Sequence, residues 1–201
     1  MSLVGGFIAT GVTLGGYLAS RISTGSCAKP DLQPNFDLDS YLGTWYEMER
    51  SSHIKFETGE CITANYSLLD SGYVEVLNSQ LFDDGTIDWL KGTARCSNWQ
   101  LGHCGVRFSA FQPWGNYDVL STDYTSYVIV YSCTGILADA FKLDFVWILT
   151  RDPLVPGSQE YTDMQTKAYD IMAEKIPNFD TATLRTTQQG GDCVYNPMNR
   201  D

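Results

Sequence analysis

The chain has 201 residues, enough for one domain with a sizeable core, and its 24 acidic against 13 basic residues leave a formal charge of -11. The charges are spread along the chain and no lysine or arginine patch stands ready for phosphates, which excludes nucleic acid and anionic membrane surfaces as main partners. Six cysteines at wide spacing, with no Cys-x-x-Cys and only His53 and His103 to help, point to disulfides of an oxidising compartment rather than to zinc or catalytic thiols. His103 beside Cys104 is the one local hint of a metal site, and its spacing does not suit zinc.

Leu3 to Ala19 runs 17 residues without a charge but is diluted by five glycines. It is short for a membrane span and followed by small residues, so residues 1–25 are expected to be a signal peptide cut just before Ser26, with Ser20 as the alternative point. Residues 26–201 remain as a single domain. The first patterned stretch is Tyr41 to Glu47, where a glycine precedes an inward-turning aromatic. That order suggests backbone passing close to the ring at Gly43, with Trp45 as a plug or as an ordinary core residue.

From Tyr41 to Arg151 short runs rich in β-branched and aromatic residues alternate with turn chemistry: Asp70-Ser71-Gly72, Asp83-Asp84-Gly85, Gln112-Pro113-Trp114-Gly115 and Thr122-Asp123-Tyr124-Thr125. About eight antiparallel strands in a meander follow. In Ile62 to Leu68 the even positions are apolar and the odd ones polar, so one face looks inward, and Asn65 of the only sequon, Asn65-Tyr66-Ser67, looks outward as a candidate glycosylation site. The inward set includes Tyr66, Phe108, Tyr117, Tyr131 and Trp147; it would fill a small sandwich or line the cavity of a closed barrel. After Pro156 the period changes. Tyr161, Met164, Ala168, Ile171, Met172 and Ile176 mark one face of a helix capped by Ser158 and ended by Pro177. The tail from Asn178 has no pattern of its own and carries Cys193.

Three stretches coincide in this frame: Gly43-Thr44-Trp45-Tyr46-Glu47, Thr122-Asp123-Tyr124, and Trp147-Ile148-Leu149-Thr150-Arg151. In this order, ahead of a single helix, they resemble the three signature regions of the lipocalin family. The resemblance implies a mostly-β fold, an eight-stranded antiparallel up-and-down barrel with one C-terminal α-helix packed on the outside, closed at one end by Gly43, Trp45 and Arg151. It implies disulfides joining Cys27 to Cys133 and Cys61 to Cys193. Elimination and short span leave Cys96 with Cys104, stapling the loop between the fourth and fifth strands.

The implied function is a secreted, extracellular carrier of a small hydrophobic ligand of lipid, sterol, retinoid, fatty acid or bilin type, needing no cofactor and no metal. Tyr66 and Trp147 are its pocket residues by resemblance, with Tyr117, Tyr131 and Phe108 added by alternation. Two other readings stand beside it. A lipocalin-type isomerase would need a nucleophile or base, whereas paired cysteines leave no thiol and two loop histidines make no triad. A lipoprotein or membrane-surface protein would use Trp114, Ile136 and Leu137 on loops at the open end.

Overall fold

The computed structural model describes residues 22–54, 56–98 and 102–196, so the expected leader lies almost wholly outside the described residues. Within them the strands are β1 (Ser23–Thr24), β2 (Gly43–Ser51), β3 (Glu60–Leu68), β4 (Val74–Leu81), β5 (Ile87–Asn98), β6 (His103–Arg107), β7 (Gly115–Thr122), β8 (Tyr127–Ile136), β9 (Phe141–Thr150) and β10 (Leu184–Thr186). The helices are the single turn α1 (Leu38–Tyr41) and the long α2 (Gln159–Lys175). Each strand from β2 to β9 pairs antiparallel with the next, and β9 returns to β2. Eight strands therefore close into an up-and-down barrel, and no sheet edge is left between β2 and β9.

Two strands lie outside that count. β1 pairs with the far side of β9, Ser23 opposite Lys142, and β10 pairs with β2, Leu184 opposite Ser51. The tail, which shows no period in sequence, thus supplies a strand. The reason is a vacancy: β2 and β3 pair only from Gly43 to Tyr46, and beyond that the open edge of β2 needs hydrogen bonds, which β10 gives. Thr187 and Gln189 then fill the gap, the Gln189 amide donating to the Glu47 and Ile62 carbonyls at 2.9 and 2.8 Å.

A bulge between Glu47 and Glu49 divides the two sides of β2. Trp45 and Glu47 face inward, whereas Met48 joins the outer cluster under α2, with Leu120, Ile129, Tyr131, Val146 and Ile148 from the wall and Tyr161, Ala168, Met172 and Ile176 on the helix side. The fully buried Glu49 carboxylate accepts from Tyr161 (2.6 Å), Tyr169 (2.8 Å) and Gln165, which ties the helix to the barrel by charge-assisted bonds. Ser158 caps α2 by accepting from the Tyr161 amide at 3.1 Å, and Ile176 ends it just before Pro177.

All six cysteines are bonded: Cys27 to Cys133, Cys61 to Cys193 and Cys96 to Cys104. The third pair does not staple a loop. Cys96 and Cys104 are direct register partners on β5 and β6, because β5 runs on through Asn98 and leaves only a short connection.

Tracing the hairpins assigns the two ends. β2 starts at the closed end, so the connections β3–β4, β5–β6 and β7–β8 lie there, and β2–β3, β4–β5, β6–β7 and β8–β9 ring the mouth. At the closed end the Arg151 guanidinium lies 3.7 Å from the centroid of the fully buried Trp45 ring. It also donates to five carbonyls: Tyr124 through Nε and Thr44 through Nη1, each at 2.9 Å, and Ser40, Tyr41 and Leu42 through Nη2 at 2.9, 3.2 and 2.9 Å. Gly43 is required for a different reason from the one its sequence suggests. Its φ of +91° is strained for any side chain, while a Cβ there would make only an ordinary 3.5 Å contact, with Arg151 rather than with the indole.

Arg151→Ala removes the stacked cation and the guanidinium's bonds to those carbonyls, of which Tyr41 keeps the Trp45 Nε1 donor at 2.9 Å. We expect a loss of about 2–4 kcal/mol in urea unfolding, less than half of it recovered by Arg151→Lys, which keeps the charge but not the planar fork.

Candidate ligand-binding cavity

The inward positions of the strands do not meet across the barrel. They enclose a cavity of about 550 Å³ opening toward the mouth, within the range of small-molecule sites. Its walls are mainly apolar: Ile62, Ala64 and Tyr66 from β3, Val76 from β4, Leu90 from β5, Val106 from β6, Val130 from β8, and Phe145, Trp147 and Leu149 from β9. Alternation positions them, with Ala64 and Val76 short enough to leave room where larger side chains would fill the axis. Phe108, just beyond β6, lies over Gly92, where a Cβ would come within 2.6 Å of its ring.

Four of the five residues expected at the pocket, Tyr66, Phe108, Tyr117 and Trp147, line this cavity together. Tyr131 does not. It packs in the outer cluster beneath α2, with its hydroxyl 3.4 Å from Asp144 Oδ2, while its neighbours Val130 and Ser132 face the cavity. Residues 127–131 are buried on both faces, one by the cavity and one by the helix, so apolar alternation carries no sign of which side is inside. Trp114 is likewise corrected. Its ring is held by the Arg95 and Arg107 guanidinia, 4.3 and 4.5 Å from its centroid, and stacks on Tyr73, so it is no free rim residue. Leu137 is exposed and Ile136 half-buried at the mouth, where the fully exposed aromatic is Phe111. Asn65 sits on the outer face of β3, its amide donating to Thr44 Oγ1 at 2.8 Å.

Sequence reasoning missed the polar residues. The β2–β3 connection folds inward and buries Glu57, whose carboxyl oxygens accept from Trp147 Nε1 at 2.9 Å and from Asn78 Nδ2 at 3.3 Å. Arg50, fully buried, holds that connection by donating to the Glu57 carbonyl at 2.6 Å and the Gly59 carbonyl at 3.3 Å, while its Nη1 pairs with Glu47 and donates to Thr187 at 2.7 Å. One guanidinium thus stands near two buried carboxyls but hydrogen-bonds only one of them, meeting Glu57 through its backbone carbonyl alone. Glu47 takes it, and the Glu57 carboxyl, desolvated and beside Glu47, is pushed up to about 8 and is neutral at pH 7. Desolvation also raises Glu47, against the pull of Arg50. No signal in the sequence marks Glu57, because a loop residue has no periodicity to say that it turns inward.

At the floor three phenols meet. Tyr41, from α1, reaches the Tyr117 hydroxyl at 2.6 Å, and Tyr66 reaches the same hydroxyl at 2.8 Å. The metal hint at His103 dissolves: Cys104 is bonded to Cys96 and His103 Nδ1 pairs with Asp118. Among the described residues no three His, Cys, Asp or Glu side chains gather to hold a metal ion.

A closed eight-stranded meander with an outer helix, a plugged floor and an apolar chamber defines a β-barrel of the ligand-carrier type. Residues 36–189 match the family described as "Lipocalin-like domain", and the chain belongs to that lipocalin family. It is similar to apolipoprotein D of Cavia porcellus, 47% identical over 168 residues, 82% of this chain and 83% of that one. It is also similar to the outer membrane lipoprotein Blc of Escherichia coli, 36% identical over 160 residues, 78% of this chain and 81% of that one. Lobster apocrustacyanin A1 superposes with a TM-score of 0.70 at 22% identity over 86% of this chain and 93% of its own, a likeness of fold.

Because the native state holds the Glu57 proton to about pH 8 and the ordinary value is 4.5, the stability linked to it is complete below pH 4.5. It is lost as pH rises toward 8. Urea melts at pH 5, 7 and 9 should therefore show the wild type losing stability relative to Glu57→Gln, by on the order of a few kcal/mol across that window.

Proposed function

We propose that this lipocalin is a secreted carrier that holds one small hydrophobic molecule of lipid, sterol, retinoid, fatty acid or bilin type in its barrel and performs no chemistry on it. The observation that carries this reading is the 550 Å³ chamber with predominantly apolar walls in a barrel plugged at one end. A ligand burying about 350 Å² of apolar surface there gains roughly 9 kcal/mol before immobilisation costs, which supports affinities around the micromolar range. Three disulfides suit an oxidising, extracellular setting, in which Asn65 becomes the glycan acceptor. Against an enzyme stands the lack of a free thiol among the described residues, and the cavity carboxyl Glu57 is engaged by Trp147 and Asn78.

The test is titration with N-phenyl-1-naphthylamine, using protein secreted from a eukaryotic host whose loss of mass on glycosidase treatment reports the glycan on Asn65. Wild type should bind one equivalent, and Trp147→Ala, which removes an aromatic wall and the Glu57 donor, should bind at least about tenfold more weakly while still folded. Absence of saturable binding by the wild type would end the carrier reading.

A second reading, contact with a lipid or lipoprotein surface, is favoured by Phe111, 99% exposed, and Leu137, 74% exposed, on two loops of the mouth. Phe111→Asp with Leu137→Asp should abolish co-flotation with zwitterionic vesicles; flotation equal to wild type removes this reading.

A further inference from the structure

The chamber is acidic in its lining and holds no cation to match. Two carboxyls, Glu47 on β2 and Glu57 on the β2–β3 connection, line it, and among the described residues no lysine, arginine or histidine does. The buried Arg50 guanidinium is taken up by Glu47, Thr187 and the Glu57 and Gly59 carbonyls, and none of its nitrogens bonds the Glu57 carboxyl. That carboxyl meets only neutral donors, Trp147 Nε1 and Asn78 Nδ2. Each of its oxygens keeps a lone pair beyond those bonds, and beside them Asn78 Oδ1 is buried with no donor of its own. Desolvation, and after it the neighbouring Glu47, hold the Glu57 proton to about pH 8 against the weaker pull of Arg50.

What this site is short of is positive charge and hydrogen-bond donors, and a bound molecule can bring both. We propose that the cavity takes hydrophobic amines, the ammonium head seated on the Glu57 carboxylate near the mouth and the apolar body running down toward the floor. The inference rests on the carrier reading and names its ligand class. On binding, the Glu57 O–H bond breaks, its electron pair stays on the carboxylate and the proton leaves to solvent. The head of the site is therefore neutral in sum both before and after the cation enters, and no unpaired charge is buried. Trp147, whose indole bonds Glu57, and Phe145, with ring centroids 6.0 Å apart, put aromatic rings beside that carboxyl, and ring faces favour a cation. A fatty-acid head there would meet two carboxyls and no cation.

Chains of equal length that differ only in the head separate charge from shape. Decylammonium, decan-1-ol and decanoate, each displacing N-phenyl-1-naphthylamine at pH 7, should rank in that order of affinity, with at least about tenfold between the first and the last. In Glu57→Gln, which keeps the outline of the side chain and cannot ionise, the ratio of decylammonium to decan-1-ol affinity should fall about tenfold or more. Calorimetry at pH 7 in buffers of different ionisation enthalpy should find close to one proton released per decylammonium bound by wild type, and none with decan-1-ol or with the variant. Wild type that binds decan-1-ol as tightly as decylammonium overturns the proposal. So does an affinity ratio unmoved by Glu57→Gln, or ammonium binding with no proton released. The ranking and the proton count need only wild type, so a variant that fails to fold does not shield the proposal from refutation. If wild type binds N-phenyl-1-naphthylamine yet fails these comparisons, the carrier reading stands and only the amine assignment falls; if it binds none of these compounds, both fall.

Discussion

Everything in this molecule hangs on one residue making the ends of the meander inseparable. Arg151 follows directly on β9, the last barrel strand, and its guanidinium covers Trp45 on β2, the first, while its five hydrogen bonds take up carbonyls of α1, the start of β2 and the β7–β8 turn. Strand pairing alone would bring β9 beside β2, but a ladder pair can slip or fray at its end. A planar cation stacked on a buried indole and forked onto fixed carbonyls cannot follow such a slip without losing every contact at once. The floor that this closure creates is what allows the remaining barrel to stay hollow.

The hollow is maintained by a division of labour along β2. Its bulge sends Met48 and Glu49 to the helix and Glu47 and Arg50 to the interior, so one strand serves two unrelated cores. On the helix side the Glu49 carboxylate is satisfied by two tyrosines and a glutamine; on the cavity side Arg50 satisfies Glu47 and draws in the connection that carries Glu57. Burying these carboxyls without partners would cost several kcal/mol each. With partners they fix the path of backbone that has no apolar reason to lie where it does. The Cys61–Cys193 bond and the β10 strand then hold the tail against the same gap between β2 and β3.

The cavity accordingly has a chemistry as well as a shape. Its walls are apolar, but a neutral carboxyl stands near the mouth and a cluster of phenols at the floor, each held by groups that do not line the main cavity: Arg50, which holds the connection carrying Glu57, at one end, and Arg151, which holds the Tyr41 carbonyl, at the other. The polar groups of the cavity are thereby coupled to the parts that stabilise the barrel.

By itself the sequence determined the fold class, the closing trio, the helix with its Ser158 cap and most of the aromatic wall. Strand alternation, turn residues and helix caps are local signals, and the three lipocalin-like stretches are short runs of neighbouring residues. It did not decide which face of β8 is inside, and Tyr131 fell on the wrong side, because a strand covered by a cavity on one face and a helix on the other is apolar on both. It did not place Cys96 and Cys104 opposite each other on strands, since the end of β5 is set by pairing with β6. The tail strand β10, the inward turn of Glu57 and the meeting of three phenols from α1, β3 and β7 were decided only by tertiary structure. Each depends on groups 21 to 137 residues apart satisfying one another's hydrogen bonds, and no local pattern records such a demand.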